Sequence, residues 1–127
     1  MLTPADVLGP GQLIARRLEQ YEDRPQQLNM ADAVYDAITS GQHLVVEAAT
    51  GVGKSLGYLV PAILAATEHQ ETGEEDDRSK RIVVSTHTIS LQEQLINKDI
   101  PLVQSVLPRE FSAILGKGRG NYISLRR

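Results

Sequence analysis

The 127 residues suffice for one folded domain or part of one, and 41% hydrophobic with 23% charged residues is ordinary for a globular protein. There is no cysteine, which excludes disulfides, thiolate metal sites and a cysteine nucleophile and fits a reducing compartment. The net charge of −3 argues against a uniformly basic nucleic-acid binder, but charge is uneven: Glu68, Glu71 and Glu74–Asp77 crowd one segment, and Lys117, Arg119, Arg126 and Arg127 crowd the last residues.

The start, MLTPADVLGPG, lacks the basic-then-apolar order of a signal peptide, and no apolar run approaches the ~20 residues of a membrane span. The expected location is the cytoplasm. Residues 1–22 predict a loop and one short helix. Asp23 followed by Gln26, with Pro25 between, predicts a helix start. Leu28, Ala31, Val34, Tyr35 and Ile38 recur at helical spacing, and Gly41 ends that helix. The β-branched run His43–Glu47 predicts a strand. Residues 54–67 predict a helix with Leu56, Leu59, Val60, Ile63 and Leu64 inward, and Pro61 predicts a kink or a shortened helix. The acidic stretch 68–80 reads as a solvated loop. Arg81–Ser85 predicts a second strand. Ser90 and Glu93 predict a capping box for a helix through about Lys98, Pro101 a further short helix, and Phe111–Leu115 a third strand. Strands alternating with helices predict an α/β fold, a parallel sheet covered by helices. Three strands make a thin sheet with exposed edges, the expectation for part of a larger unit.

The stretch VVEAATGVGKSL carries the main chemical signal. An apolar strand runs into a glycine turn and then Lys54-Ser55, the grammar of the phosphate loop G-x-x-x-x-G-K-[ST], with Ala48 in place of the first glycine. In such a loop the backbone N–H groups of Ala49, Thr50, Gly51, Val52 and Gly53 point inward, and the following helix starts at the phosphates. Gly51 and Gly53 allow the tight turn and close approach. Lys54 would reach the β- and γ-phosphates, and Ser55 would offer a hydroxyl to Mg²⁺. ATP and Mg²⁺ are the expected ligands, and Lys54 and Ser55 the expected catalytic residues.

Arg24-Pro25-Gln26-Gln27 precedes this loop. Gln27 offers one acceptor and one donor in a plane, which matches the N6 amine and N7 of adenine and favours ATP over GTP. On composition alone it reads equally as a surface glutamine. Ser85-Thr86-His87-Thr88 follows a predicted strand, where ligands of open α/β sheets bind, and its hydroxyls can hold backbone phosphates. The same threonines also read as turn and cap residues. His87 has no partners at metal-ligand spacing. In GKGRGNYISLRR, Lys117 and Arg119 can track a phosphate backbone and Tyr122 can stack on a base, or the segment is a solvated tail.

Taken in order, RPQQ, EAATGVGKSLGYLVPA, VVSTHTISLQEQL and KGRGNYISLRR resemble the DinG/XPD-like helicases of superfamily 2, most of all the bacterial DinG type, from about Tyr21 to Arg127. The resemblance implies a RecA-like P-loop NTPase fold, with residues 23–127 as the N-terminal part of the first motor domain behind the 1–22 loop and short helix. It implies an ATP-driven motor that moves on single-stranded DNA and separates duplexes, partnered by the remaining motor domains and by no membrane. It places Gln27, with Arg24 nearby, in an adenine-reading motif, Gly51–Ser55 in motif I, and Ser85, Thr86, His87, Gln92 and Gln94 in motif Ia facing nucleic acid. Related iron–sulfur helicases carry a cysteine where this chain has Ser124, so no iron–sulfur cluster is expected here. The second-site Asp that such motors use for Mg²⁺ is not recognisable: Glu74-Glu75-Asp76-Asp77 follows no apolar strand. Nucleotide binding with slow turnover and no unwinding is the expectation for these residues alone. A small P-loop kinase and a non-catalytic nucleotide-binding module are the alternatives.

Overall fold

The computed structural model describes residues 2–18, 24–48, 53–68, 70 and 81–116. Its helices are α1 (Pro4–Leu8), α2 (Leu13–Arg17), α3 (Pro25–Ser40), α4 (Lys54–Thr67), α5 (Ile89–Gln94) and α6 (Ile100–Val106), the last two joined by a π-helical turn, Leu95–Asp99. Among the described residues, no helix is long and apolar enough to cross a membrane.

The N-terminal segment forms two short helices where one was expected. Thr3 and Asp6 make the difference. The Thr3 hydroxyl accepts from the Asp6 N–H, and the Asp6 carboxylate accepts from the Thr3 N–H at 2.8 Å, a capping box that starts α1 with Pro4 in the first turn. In α3 the cap position is Arg24 rather than Asp23, which lies outside the described residues; Pro25 opens the helix. Gly41, at φ +70°, closes it as expected, and the Gln42 N–H returns to the Ala37 carbonyl at 2.9 Å.

Helix α4 has the expected bounds and passes through Pro61 without shortening. Leu59, Val60 and Leu64 are buried, and Leu56 and Ile63 pack at the margin of the core. The expected Ser90–Glu93 box is not used. Thr88, with an extended backbone, caps α5 by accepting from the Leu91 N–H at 3.3 Å, and Ser90 lies inside the first turn. Pro101 stands in the first turn of α6, the expected short helix, which ends before Pro108 and follows the π turn without a break. Proline lacks the N–H that an α-helix requires, and its ring crowds the carbonyl four residues back. The chain answers with a wider turn just before it, in which the Ile100 N–H reaches the Leu95 carbonyl, and the helical run continues from Ile89 to Val106.

One core joins these pieces: Val7, Leu8 and Ile14 from the N-terminal helices, Ala31 from α3, Val60 and Leu64 from α4, and Val103 and Leu107 from the last helix and its exit. Beyond the exit, Arg109 is clasped to the end of α4 and Glu110 to Gln70, three residues past it. Arg109, only 6% exposed, donates from one guanidinium nitrogen to the Leu64 carbonyl at 3.1 Å and to the Thr67 hydroxyl at 3.2 Å. A cation against the last carbonyls of a helix complements the helix dipole. The Glu110 N–H donates to Gln70 Oε1 at 3.0 Å, while Gln70 Nε2 donates to the Glu110 carbonyl.

The expected strands 43–47, 81–85 and 111–115 carry no strand pairing among the described residues. Their central β-branched side chains face solvent, with Val45 96%, Val83 88% and Ile114 93% exposed. A strand exists only through its ladder, and these segments have no ladder partner among the described residues. Segments 81–84 and 111–115 instead flank an apolar groove floored by Leu59, Ala62, Ile63 and Ala66 of α4 and walled by Leu95 and Ile96.

The capping box makes a pH-dependent contribution. The hydrogen bonds from the Thr3 backbone and hydroxyl hold the Asp6 carboxyl below its usual value of 3.8. A depressed carboxyl stabilises the fold above the unfolded value and loses that contribution as pH falls through the folded one. Thr3→Ala is expected to cost about 1 kcal/mol in urea unfolding at neutral pH, and the gap from the parent protein should shrink below pH 4, checked by repeating the urea titration across pH.

Candidate nucleotide site

Helices α3 and α4 run in the same direction. Three contacts along their length establish this: Gln27 meets Gly53, Met30 meets Gly57, and the Tyr35 hydroxyl donates to Glu68 at 3.3 Å. Gly57 permits the close approach, since a methyl there would sit 3.1 Å from the Met30 sulfur. The two N-termini therefore lie at one end of the pair, and the positive ends of both helix dipoles point there together. Side-by-side parallel dipoles repel, and an anion in front of both N-termini offsets that repulsion.

That end carries the residues singled out from the sequence. Gly53 is the first residue before α4, in the left-handed region at φ +80°, ψ +49°, and no side chain caps the helix. Left uncapped by side chains, the first-turn amides are donors for a ligand. Lys54 is exposed and Ser55 half-buried in that turn. The Gly53 carbonyl accepts two bonds, from the Gly57 N–H at 3.2 Å and from Gln27 Nε2 at 2.9 Å. Gln27 is 3% exposed, so it is no surface glutamine. Arg24 approaches the same face of the turn: a methyl added to Gly53 would lie 2.3 Å from Gln27 Nε2 and 3.1 Å from an Arg24 guanidinium nitrogen. The structure thus brings Arg24, Gln27, Gly53, Lys54 and Ser55 together. Ala49, Thr50, Gly51 and Val52 lie outside the described residues.

The segment proposed to face nucleic acid precedes α5. Ser85 and His87 are exposed and Thr86 is half-buried, its hydroxyl 3.5 Å from the Thr88 carbonyl. Thr88 is the helix cap. Gln94 is engaged elsewhere, donating to the Asp99 carboxylate at 3.1 Å, and Gln92 lines the apolar groove. Lys117, Arg119 and Tyr122 lie outside the described residues.

Sequence reasoning passed over two side chains. Tyr58 stands one turn after Ser55 on α4. Burial raises its phenol pKa above 10.0, the hydrogen bond with Ser55 acts in the lowering direction, and the Asp99 charge raises it. Asp99, 6% exposed, sits on the π turn that packs against α4. The three-residue spacing from Ser55 to Tyr58 was a visible signal; the π turn that carries Asp99 was not.

A glycine turn enters a helix at Lys-Ser, and a glutamine from a second helix start is bonded to that turn, the arrangement expected of a phosphate loop. Residues 25–120 match the DEAD/DEAH box helicase family, and the chain belongs to it. It is similar to the ATP-dependent helicase DinG of Mycobacterium tuberculosis, 49% identical over 108 residues that cover 82% of this chain and 15% of the relative. It is also similar to the ATP-dependent DNA helicase YoaA of Escherichia coli, 38% identical over 122 residues, 96% of this chain and 17% of the relative. The 3′-5′ exonuclease DinG of Bacillus subtilis is 33% identical over 117 residues, 92% of this chain and 12% of the relative. The chain therefore spans between an eighth and a sixth of these relatives' length. No solved structure matches it.

Gly53→Ala should fail on two grounds, the left-handed backbone and the clash with the Gln27 amide. The expected cost is roughly 1–3 kcal/mol of stability, read by thermal unfolding, together with a shift of the Gln27 side-chain amide resonances in an NMR spectrum.

Proposed function

We propose that the chain binds Mg-ATP in front of α3 and α4 and serves, within a longer polypeptide, as the N-terminal part of the first motor domain of a DinG-like helicase. The observation that carries this reading is the Gln27–Gly53 hydrogen bond, which ties the base-reading helix start to the phosphate turn. Residues 49–53 cradle the phosphates with their amides, Lys54 meets the β- and γ-phosphates, and Arg24 adds positive charge. Gln27 presents Oε1 and an N–H to the adenine edge while its amide nitrogen keeps hold of Gly53. A hydroxyl is a hard oxygen donor suited to Mg²⁺, which keeps most of its shell as phosphate and water oxygens, and Ser55 in the first turn of α4 fits that demand. When bound, the ion neutralises charge on the transferred phosphoryl group.

In the longer protein, the free energy of ATP hydrolysis drives movement on single-stranded DNA and duplex separation in the cytoplasm. Ser85, Thr86 and His87 ahead of α5, and Lys117, Arg119 and Tyr122, contact the strand. The segments 43–47, 81–85 and 111–115 pair there into the parallel RecA-like sheet; their β-branched composition, and the place of 81–84 and 111–115 beside α4, support this reading.

A nucleotide titration tests the site. Lys54→Ala is expected to lower Mg-ATP affinity by at least tenfold, and Gln27→Ala to reduce the preference for ATP over GTP while leaving triphosphate binding detectable. Stimulation of ATP turnover by single-stranded DNA is expected only when the chain is extended toward the length of its relatives. Unchanged ATP affinity in Lys54→Ala refutes the site, and turnover stimulated by a small metabolite rather than DNA would replace the motor with a kinase.

A further inference from the structure

One turn beyond the Gln27–Gly53 bond, Met30 of α3 lies over Gly57 of α4. A methyl group placed on Gly57 would sit 3.1 Å from the Met30 sulfur and 3.5 Å from its Cγ, with the backbone oxygen of Gln27 at 3.7 Å. The thioether fills the space that a side chain at position 57 would take, and so serves as the spacer between the two helices. Gly57 is buried, and Met30 is half-buried, within reach of a small solute. The seam has no donor to give a more polar group there. The Gly57 N–H is already used by the Gly53 carbonyl at 3.2 Å, and the nearby backbone oxygen of Gln27 is an acceptor. The chain has no cysteine, no tryptophan and two methionines, so Met30 is the one thioether inside it, apart from Met1 at its start.

We propose that Met30 is a peroxide-sensitive modification site, whose oxidation loosens α3 from α4 and uncouples Gln27 from the phosphate turn. In the step a sulfur lone pair attacks one oxygen of hydrogen peroxide and the O–O bond breaks. The attacked oxygen stays on sulfur and passes its proton to the other, which leaves as water. Sulfur gives up two electrons and the peroxide takes them. The product is a sulfoxide, polar where the thioether was apolar. An oxygen directed at α4 meets the Gly57 backbone without a free donor, and one directed at Gln27 meets a carbonyl acceptor, so neither position satisfies it. The side chain swings out of the seam, or the helices part. Both outcomes take the spacer from Gly57, one turn from the 2.9 Å bond between Gln27 Nε2 and the Gly53 carbonyl. The loss of that bond is a property of the helix pair alone, whereas its consequence for ATP rests on the nucleotide reading above.

Treatment of the 127-residue chain with hydrogen peroxide tests this, with peptide mass mapping to follow one added oxygen on Met30. The Gln27 side-chain amide resonances should shift on oxidation, and the affinity for a fluorescent Mg-ATP analogue should fall about fivefold, the lower end of what an overpacked contact costs. A methionine sulfoxide reductase supplied with dithiothreitol should restore both. Met30→Leu has no sulfur at this position but keeps Met1, and peroxide should change neither readout from its own starting value. Circular dichroism of the oxidised chain should retain its helix content; wholesale loss of helix overturns the proposal, because the effect is then general unfolding. So does an unshifted Gln27 amide in fully oxidised protein, an equal response in Met30→Leu, or a Met30 that stays reduced while Met1 is oxidised, and each of these leaves the nucleotide site standing. Failure of the untreated chain to bind the analogue overturns the nucleotide reading instead, and the Gln27 resonances still decide whether Met30 holds the seam.

Discussion

A single amide–carbonyl bond, from Gln27 to Gly53, fixes the relation between the two helices on which the site depends. Helix–helix packing brings α3 and α4 together along a shared seam, and two contacts fix their register. The bond from Gln27 Nε2 at 2.9 Å sets the register at the N-terminal end, and Gly57 against Met30 sets it one turn further on. With the register fixed, both helix starts, the Arg24 guanidinium and the Lys54 ammonium lie at the same end of the pair. The concentration of positive potential there follows from the packing and from no single residue. An arrangement of this kind is unfavourable on its own and becomes favourable when a polyanion occupies it.

Local rules account for much of what the sequence revealed. The phosphate-loop helix was legible to the residue because Gly53 and the Lys54–Thr67 apolar pattern agree with each other, and α3 was legible because Pro25 and Gly41 punctuate it. Caps were less legible. Thr88 and Ser90 are both plausible first-turn residues, and the structure chose the one whose backbone is extended. Thr3-Pro4-Ala5-Asp6 is a capping box that the density of prolines and glycines around it concealed. The π turn could not be read at all, since it arises from a conflict between continuing the helix and placing Pro101 within it.

The strands mark a different boundary. Val45, Val83 and Ile114 have the side chains of sheet residues, yet strand pairing is a property of two segments and not of one. Propensity gives the candidate; the partner gives the strand. For the site, the sequence supplied Arg24, Gln27, Gly53, Lys54 and Ser55 as separate candidates, and only the fold shows Gln27 bonded to Gly53 with the Arg24 guanidinium beside it. Gln27 itself changes character between the two views. In isolation it is a polar residue near a helix start; in the fold it is buried against the turn it was expected to work beside.

The clasp at the opposite end of α4 bears on how this helix can move. Arg109 grips the Leu64 carbonyl and the Thr67 hydroxyl, and Gln70 exchanges two bonds with the backbone of Glu110. A helix pinned at its tail and loaded at its head behaves as a lever. A shift of α4 is carried to Arg109 and Glu110 through these polar bonds and through the apolar core that Leu64 and Leu107 share. The segment that leads from Phe111 toward the basic stretch is thereby geared to the helix that begins at Lys54.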